Sequence, residues 1–212
     1  MIKILMAVIT LIAVICVLRI PERNRLFEKV MSCSLIFTFI INTIVLYVTD
    51  GGISGVLSMG LPLFHCSLGM MIHIYYLYMD KEPDIFLRNA NVVAMIGSVS
   101  AIFFSGTADT NIPAYLVCAL SHTFYLMISA YNVWIRNIRM KKNEYVISLV
   151  FVFIWNIIMF IYNIIFHTNY SFVNNNPFSF YMPSVIVLLA NTMLFAIAYL
   201  IDYIFLSESN NI

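Results

Sequence analysis

Charge is what this sequence has least of. Only 10% of its 212 residues are charged, whereas 62% are hydrophobic, and the mean hydropathy is +0.94. Soluble domains carry about 25% charged residues. A water-soluble fold cannot hide this much apolar surface, so the composition excludes a soluble globular domain and indicates a protein whose solvent, and main partner, is membrane lipid. The formal net charge of +1 gives no reason to expect a nucleic-acid partner.

Cysteine is also scarce, and its spacing is uninformative for metal binding. The four cysteines are Cys16, Cys33, Cys66 and Cys118, all within apolar runs and without a CxxC pair. This pattern argues against a disulfide framework and against a structural zinc site. No spacing supports a metal site among the histidines either, so we expect neither a metal nor another cofactor.

Alternating hydrophobicity and internal repeats are absent as well. Each apolar run is too long and too continuous for a membrane β-barrel, and no repeat or linker divides the chain. We therefore predict an all-α, polytopic membrane helix bundle that forms a single domain over residues 1–212. No small-residue cleavage site follows the first run, so we expect it to be a retained helix. A crossing needs about 20 apolar residues, and seven candidates meet or approach this length, the fourth being the shortest: 2–20, 27–48, 60–79, 90–106, 113–135, 145–167 and 182–205.

The basic residues are distributed asymmetrically over the loops of these seven spans. If the spans alternate in direction, only Lys3 lies on one side. The positive-inside rule then places the N-terminus outside and the C-terminus inside, in a multi-pass protein of the cell membrane. The ten basic residues on the inner side are Arg19, Arg23, Arg25, Lys29, Lys81, Arg88, Arg136, Arg139, Lys141 and Lys142.

Polar side chains within the spans are costly and are therefore candidates for function. At 1.5 Å per residue, Cys66 lies roughly 9 Å and His122 roughly 14 Å below the outer face. His65, Asn163 and Asn191 are predicted in the same half of the bilayer. Ser32 and Ser34 lie in the second span and Asn156 lies in the sixth. We interpret these three as polar groups that hold helices together by hydrogen bonds.

Helical periodicity groups these residues into two faces. Cys66, Gly69, Met70 and His73 share one face of the third span. A second face, on the fifth span, carries Cys118, His122, Tyr125 and Ser129. A histidine or cysteine at such a position is often only a packing residue, so the pattern by itself leaves open whether the two faces form a site.

Short motifs in this order resemble the YwaF-like family of bacterial integral membrane proteins. The motifs are Leu61-Pro62-Leu63-x-x-Cys66, the isolated His122, and Asn169-Tyr170 followed by Pro177 and Pro183-Ser184. The similarity covers roughly residues 30–205. That family usually has histidine at the position of Phe64, whereas this chain has it one residue later, at His65, which turns the side chain by about 100° on a helix.

The resemblance implies a function in lipid metabolism. The family is remotely similar to eukaryotic multi-pass acyltransferases that act on ether phospholipids and use a cysteine and a histidine on different helices. By that similarity, Cys66 and His122 are the expected catalytic pair of a lipid acyltransferase or acyl hydrolase. His65, Asn163, Tyr170 and Asn191 are then candidates for substrate binding or for orienting the catalytic groups. Two alternatives remain: a non-enzymatic binding or transport protein, and a structural subunit with a protein partner in a membrane complex.

Overall fold

Seven long helices make up most of the described chain. A computed structural model describes residues 1–49, 52–57, 61, 64–104, 111–168 and 184–205. The prediction of an all-α fold is confirmed, since these ranges contain no strand. A short helical turn, Ile53–Gly55, follows α2, and a π-helical turn, Tyr131–Ile135, extends α5. The long helices are α1 (Ile2–Val17), α2 (Arg25–Thr49), α3 (His65–Met79), α4 (Ile85–Phe104), α5 (Ile112–Ala130), α6 (Glu144–Phe166) and α7 (Ser184–Phe205).

Five of these helices are long and apolar enough to cross a membrane, namely α2, α4, α5 with its π-helical extension, α6 and α7. The other two are shorter: α1 has 16 residues and α3 has 15. At 1.5 Å per residue α3 is roughly 22 Å long, less than the hydrocarbon core of about 30 Å. The fold thus has several apolar helices of spanning length, while the count of seven crossings stays a prediction.

The boundaries of α3 and α4 differ from those predicted from the sequence. The fourth span was predicted to begin at residue 90 and to be the shortest, but α4 begins at Ile85 and α3 is shorter. The side chain of Asp84 explains the early start, because its Oδ1 accepts from the backbone N–H groups of Phe86 at 2.8 Å and Leu87 at 3.3 Å. Arg88, Asn89 and Asn91 interrupt the apolar run after Leu87, so a search for apolar runs places the start of this helix too late.

A buried ion pair ties the first turn of α4 to the start of α6. Arg88 Nε donates to Glu144 Oε2 at 2.8 Å, and Arg88 Nη2 donates to Glu144 Oε1 at 2.5 Å. Both side chains are at most 13% exposed. Such a bidentate ion pair fixes the relative orientation of the two side chains as well as the distance between them. It therefore holds α6 against α4 at the end of the bundle where the basic loops lie.

Helices α4 and α5 form the centre of the bundle. Helix α4 packs against α1, α3, α5, α6 and α7, and α5 packs against α1, α2, α3 and α4. Half of the apolar window of α4 is buried, compared with 22% for α6 and α7. The outer helices consequently present most of their apolar side chains to lipid, while α4 and α5 carry the interior surfaces.

Contacts between named residues fix the directions of the three helices α3, α4 and α5. His73 and Cys66 of α3 meet Asn91 and Gly97 of α4, respectively, so those helices are antiparallel. Tyr115 and Tyr125 of α5 bond to the carbonyls of Ile102 and Ala90, so α5 is also antiparallel to α4. Helices α3 and α5 are therefore parallel.

The absence of a side chain at Gly69 sets the distance between these parallel helices. The Tyr125 ring end lies so near Gly69 that an added Cβ would overlap Oη and would lie 2.8 Å from Cζ. Tyr125 cannot withdraw easily, because it is fully buried and Oη donates to Ala90 O at 2.8 Å. Gly69 thus permits a close approach that any larger residue prevents.

Loss of the carboxylate in the Arg88–Glu144 pair should destabilise the fold. With Glu144→Gln, the buried guanidinium loses its anionic partner, and we expect the free energy of unfolding to fall by about 3 kcal/mol. Equilibrium unfolding in detergent micelles measures the change. Glu82→Gln, in the exposed loop before α4, is the matched control. Equal losses in the two variants would contradict a role for the ion pair.

Adding a methyl group at Gly69 should also destabilise the bundle. Gly69→Ala gains helix propensity but collides with Tyr125, and we expect a net loss of about 1–2 kcal/mol. The same change in a Tyr125→Phe background should cost less, because the hydroxyl oxygen is gone. Unfolding of the four proteins in this double-mutant cycle tests the coupling. Additive effects would show that the Gly69–Tyr125 contact is unimportant.

Candidate functional site

The thiol of Cys66 lies at the beginning of a helix. Cys66 is the second residue of α3, and the first backbone bond of that helix is donated by Leu68 to Phe64. The N–H groups of a first turn have no partner within the helix, and the helix dipole favours negative charge there. The Cys66 side chain is half-buried, and its Sγ lies so near Gly97 that a Cβ there would overlap it.

The imidazole of His122 is oriented by its own helix. Its Nδ1 lies 2.8 Å from Cys118 O. A carbonyl oxygen only accepts, so Nδ1 carries the proton and Nε2 carries the lone pair. Within the described ranges Nε2 has no hydrogen-bond partner. His122 is therefore held in the tautomer that leaves a basic nitrogen open.

A second cysteine lies closer to this ring. Cys118 Sγ is 3.6 Å from His122 Nδ1. Because Nδ1 already donates to Cys118 O, it offers the thiol a proton rather than a lone pair. This geometry does not activate Cys118 as a nucleophile, and the interpretation of Cys118 as a packing residue stays a prediction.

The predicted pair lies on two parallel helices without a direct bond. The described structure has no hydrogen bond between Cys66 and His122. Tyr125 meets Gly69 across the parallel helices α5 and α3, and each member of the pair lies three residues before one of these contact positions. At 1.5 Å per residue, each therefore lies about 4.5 Å along its own helix from a residue of that contact.

A buried, hydrogen-bonded histidine lies one helical turn after Gly69 on α3. His73 is fully buried, with Nδ1 2.9 Å from Gly69 O and Nε2 2.8 Å from Asn91 Oδ1. Its ring meets the edge of Tyr125 with 5.1 Å between centroids. His73 is thus occupied in joining α3 to α4 and α5, and no group of potential metal ligands is found in the described ranges.

The hydrogen bonds continue from Asn91 to the end of the bundle with the basic loops. Asn132 Nδ2 donates to Asn91 Oδ1 at 3.2 Å, and Arg136 Nη1 donates to Asn132 Oδ1 at 3.3 Å. Arg136 also lies 3.6 Å from the buried carboxylate of Glu28, which pairs with Arg23 at 3.0 Å. A continuous series of hydrogen bonds and ion pairs therefore runs from the interior of the bundle to the basic loops.

Asp80 closes this chain at the surface. Its carboxylate lies 2.6 Å from Arg25 and 2.9 Å from Arg23. The Arg25 guanidinium, aided by Arg23, holds the pKa of Asp80 below its ordinary value. Since the pairs are exposed, they contribute little to stability; they do bring the loop before α2 to the end of α3.

His65 borders a narrow cleft between α3, α4 and α6, together with Leu68, Val93 and Phe151. Its ring packs on Phe195 of α7 with 4.5 Å between centroids. The Nε2 atom is buried and has no hydrogen-bond partner among the residues that the structure describes. His65 thus faces a different neighbourhood from the sulfur of Cys66, as the turn of about 100° between adjacent helical residues requires.

The remaining predicted residues lie on α6, α7 and the loop between them. Asn163 is buried near the end of α6 and accepts from Thr168 Oγ1 at 2.8 Å. Asn191 is half-buried on α7. Tyr170 lies outside the described residues. The expectation that these side chains orient His122 or bind an oxyanion stays a prediction.

The predicted role of Asn156 as a link between helices is confirmed, since its Nδ2 donates to Thr192 Oγ1 at 3.0 Å between α6 and α7. The other two residues of that group behave differently. Ser34 Oγ donates to Val30 O within its own helix, and Ser32 Oγ has no hydrogen-bond partner in the described part of the chain. A hydroxyl inside an apolar helix therefore gives no reliable sign of a contact between helices.

Sequence reasoning missed the residues that position the site. Gly69 was noted only as part of a face, and Gly97, Asn91 and Asn132 were not singled out. Gly69 and Gly97 lie inside apolar helices, and glycine at such a position is typical of a close approach between helices. Neither glycine identifies its neighbour, because that neighbour belongs to another helix.

Comparison with known proteins gives one family. No curated protein and no solved structure matches the chain. The sequence profile of the TMEM164 family matches residues 1–205, which is nearly the whole chain. Together with the apolar helices of spanning length, this match shows a multi-pass membrane protein, and the chain belongs to the TMEM164 family.

Proposed function

We propose that this protein is a membrane enzyme that transfers or hydrolyses lipid acyl groups, with Cys66 as nucleophile and His122 as general base. The observation that carries the proposal is that Cys66 and His122 each lie one turn before one of the two residues of the Gly69–Tyr125 contact between parallel helices. The open Nε2 of His122 and the position of Cys66 in the first turn of α3 support it. The motifs around Cys66 and His122 imply the same chemistry.

The first step is attack of the Cys66 sulfur on a lipid ester carbonyl. The thiol proton passes to His122 Nε2 as the carbon–sulfur bond forms. The carbon–oxygen bond then breaks, and His122 returns the proton to the leaving alcohol. Backbone N–H groups in the first turn of α3 are suitable donors to the oxyanion, because they have no partner within the helix.

The second step regenerates the thiol. A hydroxyl group of a second lipid attacks the thioester and gives its proton to His122. The carbon–sulfur bond breaks, the acyl group passes to the attacking oxygen, and His122 returns the proton to the Cys66 sulfur. Attack by water instead gives a free fatty acid. Exclusion of water from a site bordered by apolar helices favours transfer over hydrolysis.

The proposal includes a seven-span topology, with the N-terminus outside the cell membrane and the C-terminus inside. The supporting pattern is the placement of ten basic residues on one side of the seven helices. This topology puts Cys66 and His122 in the outer half of the bilayer.

Substituting Cys66 and Cys118 one at a time tests which of the two thiols is the nucleophile. Cys66→Ala should abolish acyl transfer, whereas Cys118→Ala should retain it, because His122 offers no lone pair to Cys118. His122→Gln should lower the rate by about 10²–10⁴-fold, the usual contribution of a general base. Lipid profiling of cells that produce each variant measures the effect. An unchanged profile with Cys66→Ala, where the wild-type protein alters lipids, would favour a binding or structural role.

Accessibility of tags tests the topology. Epitope tags at the two ends should differ in their accessibility to antibody. We expect antibody to reach the N-terminal tag in intact cells and the C-terminal tag only after permeabilisation. The positive-inside rule supplies the reason. Exposure of both tags on the same side would require an even number of crossings and would remove α1 or α3 from the set of spans.

A further inference from the structure

Ser98 of α4 carries a buried hydroxyl group that the fold does not use. Its side chain is fully buried, and its Oγ has no hydrogen-bond partner among the described residues. A serine or threonine inside a helix often bonds to the carbonyl four residues earlier, as Ser34, Thr43 and Thr123 do. Because Ser98 lacks even this local bond, its burial is costly, and a partner supplied by a ligand would remove that cost.

Ser98 directly follows the residue that contacts the thiol, since Cys66 Sγ lies against Gly97. The helix register gives a second reason to place Ser98 beside Cys66. Asn91 of α4 meets His73 of α3. Ser98 follows Asn91 by seven residues, and Cys66 precedes His73 by seven residues on the antiparallel helix. Seven residues make about two turns, so Ser98 faces Cys66 as Asn91 faces His73.

The register between α4 and α5 places Ser98 opposite His122. Ser129 Oγ of α5 donates to Asn91 O of α4 at 2.8 Å. His122 precedes Ser129 by seven residues, and Ser98 follows Asn91 by seven, so both lie roughly 10 Å from that bond in the same direction. The two helices are still in contact farther along, where the Tyr115 hydroxyl bonds to a carbonyl of α4.

Two polar layers therefore cross α3, α4 and α5, about two helical turns apart. In the first layer, hydrogen bonds to Asn91 join the three helices. In the second layer, no hydrogen bond joins the three described side chains, so its thiol, hydroxyl and imidazole groups do not satisfy one another. The first layer consists of His73, Asn91 and Ser129, and the second consists of Cys66, Ser98 and His122.

We infer that Ser98 is a third catalytic residue, whose hydroxyl group donates a hydrogen bond to the carbonyl oxygen of the ester that Cys66 attacks. As the carbon–sulfur bond forms, that oxygen becomes negatively charged, and it loses the charge when the bond to the leaving alcohol breaks. Ser98 keeps its proton throughout. A fixed donor in a water-excluded site stabilises such a charge strongly. The inference rests on the proposed function and deepens it by adding an oxyanion donor from α4.

Two reactions of the same thiol separate this role from a structural one. The ester p-nitrophenyl butyrate acylates a thiolate through an oxyanion, whereas iodoacetamide alkylates it by displacing iodide, without an oxyanion. Release of p-nitrophenolate above a Cys66→Ala blank measures acylation of the purified protein in nanodiscs, and mass spectrometry measures alkylation at Cys66. With Ser98→Ala we expect acylation to slow by about 100-fold, the usual effect of losing one oxyanion donor, and alkylation to be unchanged.

Ser148→Ala is the matched control. Ser148 lies on α6, is also buried, and its Oγ also has no hydrogen-bond partner in the described part of the chain. This variant should leave both reaction rates unchanged. Unfolding by urea in detergent micelles adds a readout of structure. Because Ser98→Ala removes an unpaired hydroxyl group, its unfolding midpoint should not fall below that of the wild-type protein.

The results separate failure of Ser98 from failure of the catalytic pair. Wild-type acylation that Ser98→Ala does not slow would overturn the role of Ser98 and leave Cys66 as the nucleophile. Equal slowing of acylation and alkylation would also overturn it, because Ser98 would then act on the thiol rather than on the oxyanion. A wild-type protein that iodoacetamide alkylates at Cys66 but that releases no p-nitrophenolate would refute the proposed function, and the role of Ser98 with it.

Discussion

The close approach of Tyr125 to Gly69 is the constraint on which the interior of the bundle depends. It brings α5 against α3 at a separation that only a glycine permits. The hydroxyl of Tyr125 then bonds to the Ala90 carbonyl of α4, so one side chain joins three helices. Because side chains repeat about every turn along each helix, this contact also determines which residues lie level with one another above and below it.

Polar groups in the apolar interior reinforce that arrangement. In hydrocarbon an unpaired polar group is expensive, so each such group favours the packing that supplies its partner. His73 and Asn91 meet between α3 and α4, and Asn132 extends the bonding into the end of α5. Arg136 then carries it to Glu28. These contacts restrict how far the central helices can slide, which a purely apolar interface would not do.

The proposed chemistry occupies the opposite end of the same three helices. In the described part of that end lie the half-buried thiol of Cys66, the imidazole of His122 with its Nε2 unbonded, and the buried Nε2 of His65 beside an apolar cleft. The two ends differ because they serve different purposes. A structural network is stable only when its hydrogen-bonding groups are paired within the protein, whereas a substrate site needs groups that remain able to bond to the substrate. Helix α4 connects the two, because Asn91 belongs to the network and Gly97 adjoins the thiol.

The sequence by itself determined the environment, the helical class and the approximate positions of seven helices, because long apolar runs leave the backbone no alternative to internal hydrogen bonding. It also grouped Cys118, His122, Tyr125 and Ser129 on one face, since that periodicity is local. It did not find the start of α4, which Asp84 caps, because Arg88, Asn89 and Asn91 interrupt the apolar run there. Only the tertiary structure decided that Gly69 receives Tyr125, that Gly97 receives Cys66, and that His73 is bonded to Asn91, because each of these contacts joins residues of different helices, and the register between helices is set by packing rather than by any local pattern.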